Sequence, residues 1–217
     1  MVDCLPLEAA SADIYRRLYA LAREERRQRA ERYIDKEDSV RCIVADALLR
    51  RALAMSGMPE DAPLERGEHG KPYLRESDFF FNLSHSGDWV VIAYSNREVG
   101  VDVERIELRS NREQIARRCF DAKERSYVFC DDDPFSVAQR FTEVWCAKES
   151  YLKYLGTGLS EGLDAVCVDI ESGSVPSDTA VALYPAMLDA SHCLCVCAAP
   201  DDDIVLRVLD AADLFAV

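Results

Sequence analysis

The sequence predicts an α+β fold in which helices precede strands twice. In the first half, two segments with apolar residues at helical spacing come before three short segments of strand character. The 217 residues, of which 49% are hydrophobic, are enough for one large domain or two small ones that each bury a core. The second half is predicted to contain helices at 111–118 and 121–129, a further helix from 145, and strands at 165–170, 180–184, 193–199 and 204–208.

The charge of the chain limits the partners that it can bind. A net charge of -14 argues against general nucleic-acid binding, which needs a basic face to neutralise phosphates. The acidic excess is uneven, because residues 11–75 carry slightly more Lys and Arg than Asp and Glu. We therefore expect any polyanionic ligand to bind near this first part of the chain.

Neither a membrane span nor a secretory signal is expected. The longest apolar runs, such as WVVIAY, have the length of a strand, and the N-terminus lacks a basic region followed by a hydrophobic one. The nine cysteines form an odd number without a CxxC pair, which favours reduced thiols and a cytoplasmic location. Cys193, Cys195 and Cys197 alternate, so we expect them to pack on one face of a strand rather than to bind metal.

The two N-terminal helices are predicted at residues 11–34 and 39–56. The end of the first is rich in arginine, including Arg26 and Arg29. Such a run is either a solvated face with internal ion pairs or a ridge that faces phosphates. Arg41 lies near the start of the second helix, where a cation opposes the helix dipole unless an anion is nearby.

An antiparallel meander is predicted next, with strands at 79–83, 89–94 and 99–103. Ser84, His85 and Ser86 fall in the first turn, where side chains and backbone amides could hold a phosphate. A single histidine in a turn otherwise has no special role. Upstream, the rigid turn GKP holds Lys71 in a fixed direction.

The third strand reads GVDVE and places two carboxylates on one face. Alternation puts Val101 and Val103 on the buried side. Asp102 and Glu104 then lie together on the opposite side, where they repel each other. A divalent cation between them resolves the conflict, and Mg²⁺ suits two carboxylates completed by substrate oxygens and water. The alternative is a solvated edge with two acidic residues.

The segment WCAKESYLKYLGTGLS, residues 145–160, predicts a helix followed by a glycine-punctuated loop. On a helical wheel Lys148 falls inside the apolar stripe, Glu149 at its edge and Lys153 one turn further on. Charges at the border between core and solvent are seldom there for packing. The alternative is that Glu149 and Lys153 form an i,i+4 surface pair while Lys148 snorkels to solvent.

In combination, GKP, FNLSHS, GVDVE and WCAKESYLK resemble the 4′-phosphopantetheinyl transferases of the surfactin-synthetase-activating (Sfp) type. The resemblance covers nearly the whole chain. It implies an α+β fold of two similar subdomains in a pseudo-dimeric monomer, with the active site in the cleft between them. The expected division is residues 1–98, on the coenzyme A phosphate side, and residues 99–217, which carry the metal ligands and the carrier-protein docking surface.

The resemblance also implies a role for individual residues. Glu149 and Lys153 correspond to catalytic positions, and Glu124 to an acidic position near the metal. The ligands of Mg²⁺, with Mn²⁺ as an alternative, are expected to be Asp102, Glu104 and Glu149. The coenzyme A site is expected to comprise Arg26, Arg29, Arg41, Lys71, Ser84, His85 and Lys153.

The implied reaction transfers phosphopantetheine from coenzyme A to a serine of an apo acyl or peptidyl carrier protein, and releases adenosine 3′,5′-bisphosphate. We expect the carrier to dock at residues 156–163 and the segment that follows. Two other hypotheses stay open at this point. One is a magnesium-dependent hydrolase of nucleotides or coenzyme A, and the other is a non-catalytic module that binds coenzyme A or carrier domains.

Overall fold

The computed structural model describes residues 1–158 and 162–216, and it confirms the α+β prediction with two four-stranded sheets and packed helices. The helices are α1 Ala12–Leu21, α2 Glu24–Ala30, α3 Lys36–Met55, α4 Arg112–Cys119, α5 Ala122–Val128 and α6 Pro134–Leu155. The strands are β1 Val2–Pro6, β2 Glu65–Arg66, β3 Pro72–Tyr73, β4 Phe80–Ser86, β5 Trp89–Ser95, β6 Gly100–Arg105, β7 Ser174–Val175, β8 Asp178–Asp189, β9 His192–Ala198 and β10 Leu206–Val208.

The first sheet has the order β10-β1-β5-β4, and α3 covers one of its faces with an apolar core. The helix predicted at 11–34 is broken between α1 and α2, because Ala22 is extended and Arg23 caps α2. Asp46 on α3 stabilises this break, because its buried carboxylate accepts hydrogen bonds from both the backbone N–H and the guanidinium of Arg23. The local helical pattern does not show such a distant partner.

The predicted three-strand meander is wrong at its third strand. β4 and β5 form the hairpin, but β6 joins a second sheet of order β6-β9-β8-β7 and pairs antiparallel with β9. The turn prediction for residues 84–86 is also wrong, because they continue β4 and only Gly87 and Asp88 form the turn. The predicted strand at 165–170 contributes only an isolated bridge at Asp169.

The two halves are joined by a shared apolar layer between the sheets. Residues of β1 and β5 pack there against Val101, Val103 and alternate residues of β9. The opposite face of the second sheet, with the thiols of Cys193, Cys195 and Cys197, packs in the core that includes α6. This confirms the prediction that the three cysteines pack on one strand face.

Close approach of β6 and α6 depends on Gly100. A Cβ atom at this position would lie 2.0 Å from the carbonyl oxygen of Ser150 and 2.5 Å from the backbone nitrogen of Tyr154. The absence of a side chain therefore lets the carboxylate strand lie directly against the helix that carries Glu149 and Lys153. Across the described part of the chain, none of the helices combines the length and apolar character needed to cross a membrane.

Candidate active site

Asp102 lies where β4, β6 and α6 meet. Ser84 Oγ on β4 donates to Asp102 Oδ1 at 2.8 Å, and Lys153 Nζ on α6 contacts the same oxygen at 2.6 Å. Lys153 Nζ also donates to Ser84 Oγ at 2.9 Å. Three residues from separate sequence motifs therefore form one cluster between the halves.

The second carboxylate oxygen of Asp102 has no such partners. Asp102 is 3% exposed, and among residues 1–158 and 162–216 its buried Oδ2 atom has no hydrogen-bond partner. A buried carboxylate oxygen that is left unpaired is energetically costly. This atom is where the structure most favours a bound cation or hydrogen-bond donor.

Glu104 and Glu149 share the electrostatic environment of Asp102. Burial, and then the negative charge of Asp102, raise the pKa of Glu104 to about 7. The same two causes raise the pKa of Glu149, and Lys153 acts in the opposite direction on both carboxyls. The alternation prediction for β6 is confirmed for its valines, but α6 and β4 cover the acidic face, so it is not a solvated edge.

This donor set fits a divalent cation in its chemistry. Asp102, Glu104 and Glu149 supply hard oxygen atoms, carry unfavourable mutual charge and leave one buried oxygen unpaired. Among residues 1–158 and 162–216, however, no three acidic, His or Cys side chains are close enough together to hold a metal ion. To share a cation, the carboxylates would therefore have to move closer together. Lys153, which neutralises Asp102 in this arrangement, would also have to leave it.

His85 lies next to Ser84 on β4 and therefore projects from the other side of the strand. His85 is exposed by surface area, but protein atoms around it desolvate the imidazole, and this lowers its pKa. Arg41, Lys153 and Arg29 lower the pKa further through their positive charges. Arg29, Arg41 and Lys153 therefore form an electropositive region around His85, which Asp38 partly offsets.

The arginines of the first half differ in how strongly they are held. Arg41 donates to Gly87 O and pairs with Glu37 and Asp38, so the first turn of its own helix supplies the anions that offset its position. Arg26 is mostly buried and lies 4.0 Å from Asp46. Arg29 is exposed and donates to Tyr33 Oη at 3.0 Å.

Lys71 connects the two halves on another side of the cleft. It forms an ion pair with Glu98 and donates to the carbonyl of Tyr154, at the end of α6, at 3.1 Å. Lys71 also lines a cavity of about 490 Å³ whose walls include Phe80 and Leu155. The contacts with Glu98 and with the carbonyl of Tyr154 thus hold Lys71 against the second half.

Lys148 and Glu124 form a structural pair in the second half. Lys148 is fully buried, contrary to the snorkelling alternative, and its Nζ lies 2.7 Å from Glu124 Oε2. It also donates to the carbonyls of Cys119, Leu163 and Val166. Glu124 Oε1 accepts from the backbone of Val168, and Oε2 accepts from the backbone of Asp121. These contacts indicate that Glu124 stabilises the fold of the second half.

The sequence analysis gives Ser86 only as a turn residue that could hold a phosphate, whereas in the structure its Oγ donates to Glu104 Oε2 at 2.8 Å. The alternation of Asn82, Ser84 and Ser86 would have predicted that these polar side chains lie on one face of a strand. The turn prediction for residues 84–86 obscured this pattern. The expected docking loop is only partly described, since residues 159–161 lie outside the described ranges.

Comparisons with known proteins agree on one family. Residues 98–203 match the family model described as the 4′-phosphopantetheinyl transferase superfamily, and residues 9–97 match the 4′-phosphopantetheinyl transferase N-terminal model. A 4′-phosphopantetheinyl transferase of Bacillus subtilis is 33% identical over 206 residues, covering 91% of this chain and 89% of the relative. The 4′-phosphopantetheinyl transferase Sfp of Bacillus subtilis strain 168 is 31% identical over 187 residues, or 82% of each chain.

A relative from Xenopus laevis is also similar to the chain. The L-aminoadipate-semialdehyde dehydrogenase-phosphopantetheinyl transferase of Xenopus laevis is 30% identical over 174 residues, covering 71% of this chain and 58% of the relative. These matches favour neither a hydrolase nor a non-catalytic module. The chain therefore belongs to the Sfp-type 4′-phosphopantetheinyl transferases, enzymes that transfer 4′-phosphopantetheine from coenzyme A to a serine of an apo carrier protein.

Proposed function

We propose that the cleft between the halves performs this transfer with a divalent cation held by Asp102, Glu104 and Glu149. The observation that carries the proposal is the buried, unpaired Oδ2 of Asp102 beside two carboxyls with raised pKa values. Mg²⁺ is the preferred ion, with Mn²⁺ as the alternative, because the donors are hard oxygens and leave room for substrate oxygens. When bound, the ion neutralises charge on the pyrophosphate of coenzyme A.

Lys153 has the position to stabilise the leaving phosphate. Its Nζ already lies within 3 Å of the oxygens of Asp102 and Ser84, so it points into the cleft rather than away from it. If Asp102 held a cation, the Lys153 ammonium would be free to bind the phosphate of the departing adenosine 3′,5′-bisphosphate. An oriented cation at developing negative charge is a large contribution to phosphoryl transfer.

The nucleotide phosphates are assigned to the electropositive region around His85. His85 is placed at the 3′-phosphate, supported by its position among cations. A bound dianion favours the protonated ring and so offsets the lowered pKa. The remaining residues assigned to coenzyme A are Arg26, Arg29, Arg41, Lys71, Ser84 and Lys153.

Glu149 is the proposed general base for the carrier serine. It is partly buried at the edge of α6, where the serine hydroxyl can approach it, and a bound cation would keep the carboxylate ionised so that it can accept the proton directly or through a water. The serine oxygen then attacks the β-phosphorus of coenzyme A, the bond from that phosphorus to the bridging oxygen breaks, and the serine proton passes to Glu149.

The two parts of the chain divide these tasks. We assign the coenzyme A phosphates to residues 1–98, and the metal ligands and carrier docking to residues 99–217, with docking at 156–163 and beyond. Because both halves of the cleft come from one chain, the proposed active form is a monomer. The proposed location is the cytoplasm, and the net charge of -14 supports no nucleic-acid partner. The carrier is an acyl or peptidyl carrier protein.

Mn²⁺ binding tests the metal site directly. Electron paramagnetic resonance can measure free Mn²⁺ with the wild type and with the Asp102→Asn and Glu149→Gln variants, in the presence of coenzyme A. We expect each variant to lose at least about tenfold in affinity and to lose transfer in parallel. Glu113→Gln, an exposed change on α4, serves as the control. Wild-type affinity in either variant would refute its assignment as a ligand.

The hydrolase alternative is tested in the same samples. Release of adenosine 3′,5′-bisphosphate is followed with and without an apo carrier protein. We expect release only when the carrier is present, because its serine is the acceptor. Release at a rate that no carrier increases would favour the hydrolase.

A further inference from the structure

The strand β4 presents three polar side chains to the open edge of the second sheet. β6 is an edge strand, since β9 is its one partner in that sheet within the part of the chain that the structure describes. The backbone N–H of Val101 donates to Asn82 Oδ1 at 3.0 Å. The next two outward N–H groups of β6, those of Val103 and Arg105, donate to Ser84 Oγ at 3.3 Å and Ser86 Oγ at 3.1 Å.

These contacts repeat every second residue on both strands. Side chains of β4 therefore take the place that a neighbouring strand's carbonyls would occupy, and they satisfy donors that an edge strand leaves unpaired. Because the spacing is two on each strand, a slip of one residue would break every contact. The set of Asn82, Ser84 and Ser86, which we term the side-chain ladder, fixes the register of β6 against the first half.

The two serines of the side-chain ladder also hold carboxylates. Each hydroxyl accepts a backbone N–H and donates its own proton to the acidic residue just before that N–H. Ser84 donates to Asp102 Oδ1 at 2.8 Å, and Ser86 donates to Glu104 Oε2 at 2.8 Å. The same three-group arrangement thus occurs twice, two residues apart, and the spacing of the carboxylates follows the spacing of the serines.

We propose that Ser86 is a positioning residue that orients the Glu104 carboxylate for the divalent cation, as a counterpart of Ser84 at Asp102. The inference rests on the proposed metal site. A hydroxyl that donates to one oxygen of a carboxylate restricts its rotation, and such partners of metal ligands commonly affect metal affinity by about 10- to 100-fold. A Ser86 variant tests this role more cleanly than a Ser84 variant, because Ser84 also contacts Lys153, which is assigned to coenzyme A binding.

The test compares Ser86→Ala with Ser86→Thr, which keeps the hydroxyl. Mn²⁺ affinity is measured by electron paramagnetic resonance in the presence of coenzyme A, beside kcat and KM for coenzyme A at saturating metal. We expect Ser86→Ala to weaken Mn²⁺ binding by about tenfold and to leave KM for coenzyme A within about twofold. Ser86→Thr is expected to recover affinity to within about threefold of the wild type.

Controls distinguish positioning from general loss of structure. Ser126→Ala removes an exposed hydroxyl on α5 that bonds only to its own helix, and it should leave Mn²⁺ affinity unchanged. Thermal melting shows whether each variant is folded. Wild-type Mn²⁺ affinity in Ser86→Ala, or an equal loss in Ser86→Thr, would overturn the inference while leaving the metal site intact. Absence of Mn²⁺ binding by the wild type would overturn both.

Discussion

Lys153 Nζ lies 2.6 Å from Asp102 Oδ1, and this ion pair joins the helix α6 to the strand β6 beside the first half of the chain. The Asp102 side chain of this pair is 4% exposed to solvent, whereas the Lys153 side chain is 28% exposed. Lys153 can therefore move toward solvent while Asp102 cannot. This asymmetry suits a lysine that changes partner when substrate and cation enter.

Replacement of Lys153 is expected to impair catalysis more than binding. Lys153→Met should lower kcat by about 10²- to 10³-fold, because it removes a cation placed at the leaving phosphate. Steady-state transfer to an apo carrier protein at saturating Mg²⁺ measures the effect. The matched control is Lys123→Met, which removes an exposed lysine paired with Asp169. A kcat within about threefold of the wild type would contradict the role of Lys153.

The buried pair of Lys148 and Glu124 is expected to stabilise the second half without taking part in catalysis. Lys148→Met should lower the free energy of unfolding by about 3 to 5 kcal/mol, because Glu124 is left buried and uncompensated. The double variant Lys148→Met/Glu124→Gln should recover part of this loss. Urea unfolding measures both. Equal stability of the single variant and the wild type would show that the pair is not structural.

The raised pKa of Glu104 predicts a pH-dependent stability of the metal-free protein. Between about pH 4.5 and 7 this carboxyl is protonated in the folded state and ionised in the unfolded one. The folded protein therefore binds more protons, and its stability falls as pH rises through this window. Glu104→Gln removes the ionisation, so it should stabilise the protein at pH 8 by on the order of 2 kcal/mol and little at pH 4.5.

Thermal melting with a chelator at several pH values tests the prediction for Glu104. The expected gain at pH 8 corresponds to roughly 4 to 8 °C in Tm. Glu113→Gln, in an exposed pair with Arg117, is the control and should not show this trend. A gain for Glu104→Gln that is the same at pH 4.5 and pH 8 would contradict the assigned pKa.

Gly100 is expected to tolerate no side chain. Gly100→Ala places a methyl group against backbone atoms of Ser150 and Tyr154, which cannot move without displacing α6. We expect a loss of more than about 3 kcal/mol in the free energy of unfolding, with loss of activity. Gly67→Ala is the matched control, since its added carbon would meet only Lys71 O at 3.7 Å. Comparable stability of the two variants would argue against the tight contact.

The local patterns of the chain were sufficient to predict much of the site. Alternation in GVDVE placed Asp102 on the face opposite the valines, and helical spacing after Trp145 placed Glu149 and Lys153 at the border of the core. The structure brings Asp102 and Lys153 into contact, which neither pattern predicted. Each pattern lies within one element, where periodicity is a reliable guide. The family resemblance then connected residues that are far apart in the sequence.

Features that depend on distant partners were not predictable in this way. The meander was extended to β6 because the local strand signal does not say which neighbour a strand pairs with. Lys148 was treated as a residue that could snorkel, since nothing near it in the sequence identifies Glu124 as its partner. The strand β1 was missed, although it forms the centre of the first sheet between β10 and β5.

The transfer reaction itself is tested most directly by the intact mass of an apo carrier protein. A peptidyl carrier domain and an acyl carrier protein are incubated separately with this enzyme, coenzyme A and Mg²⁺, with and without a chelator. We predict that at least one carrier gains the mass of a single phosphopantetheine group, and that the chelator prevents the gain. An unchanged mass for both carriers, under conditions in which coenzyme A is shown to bind, would contradict the account.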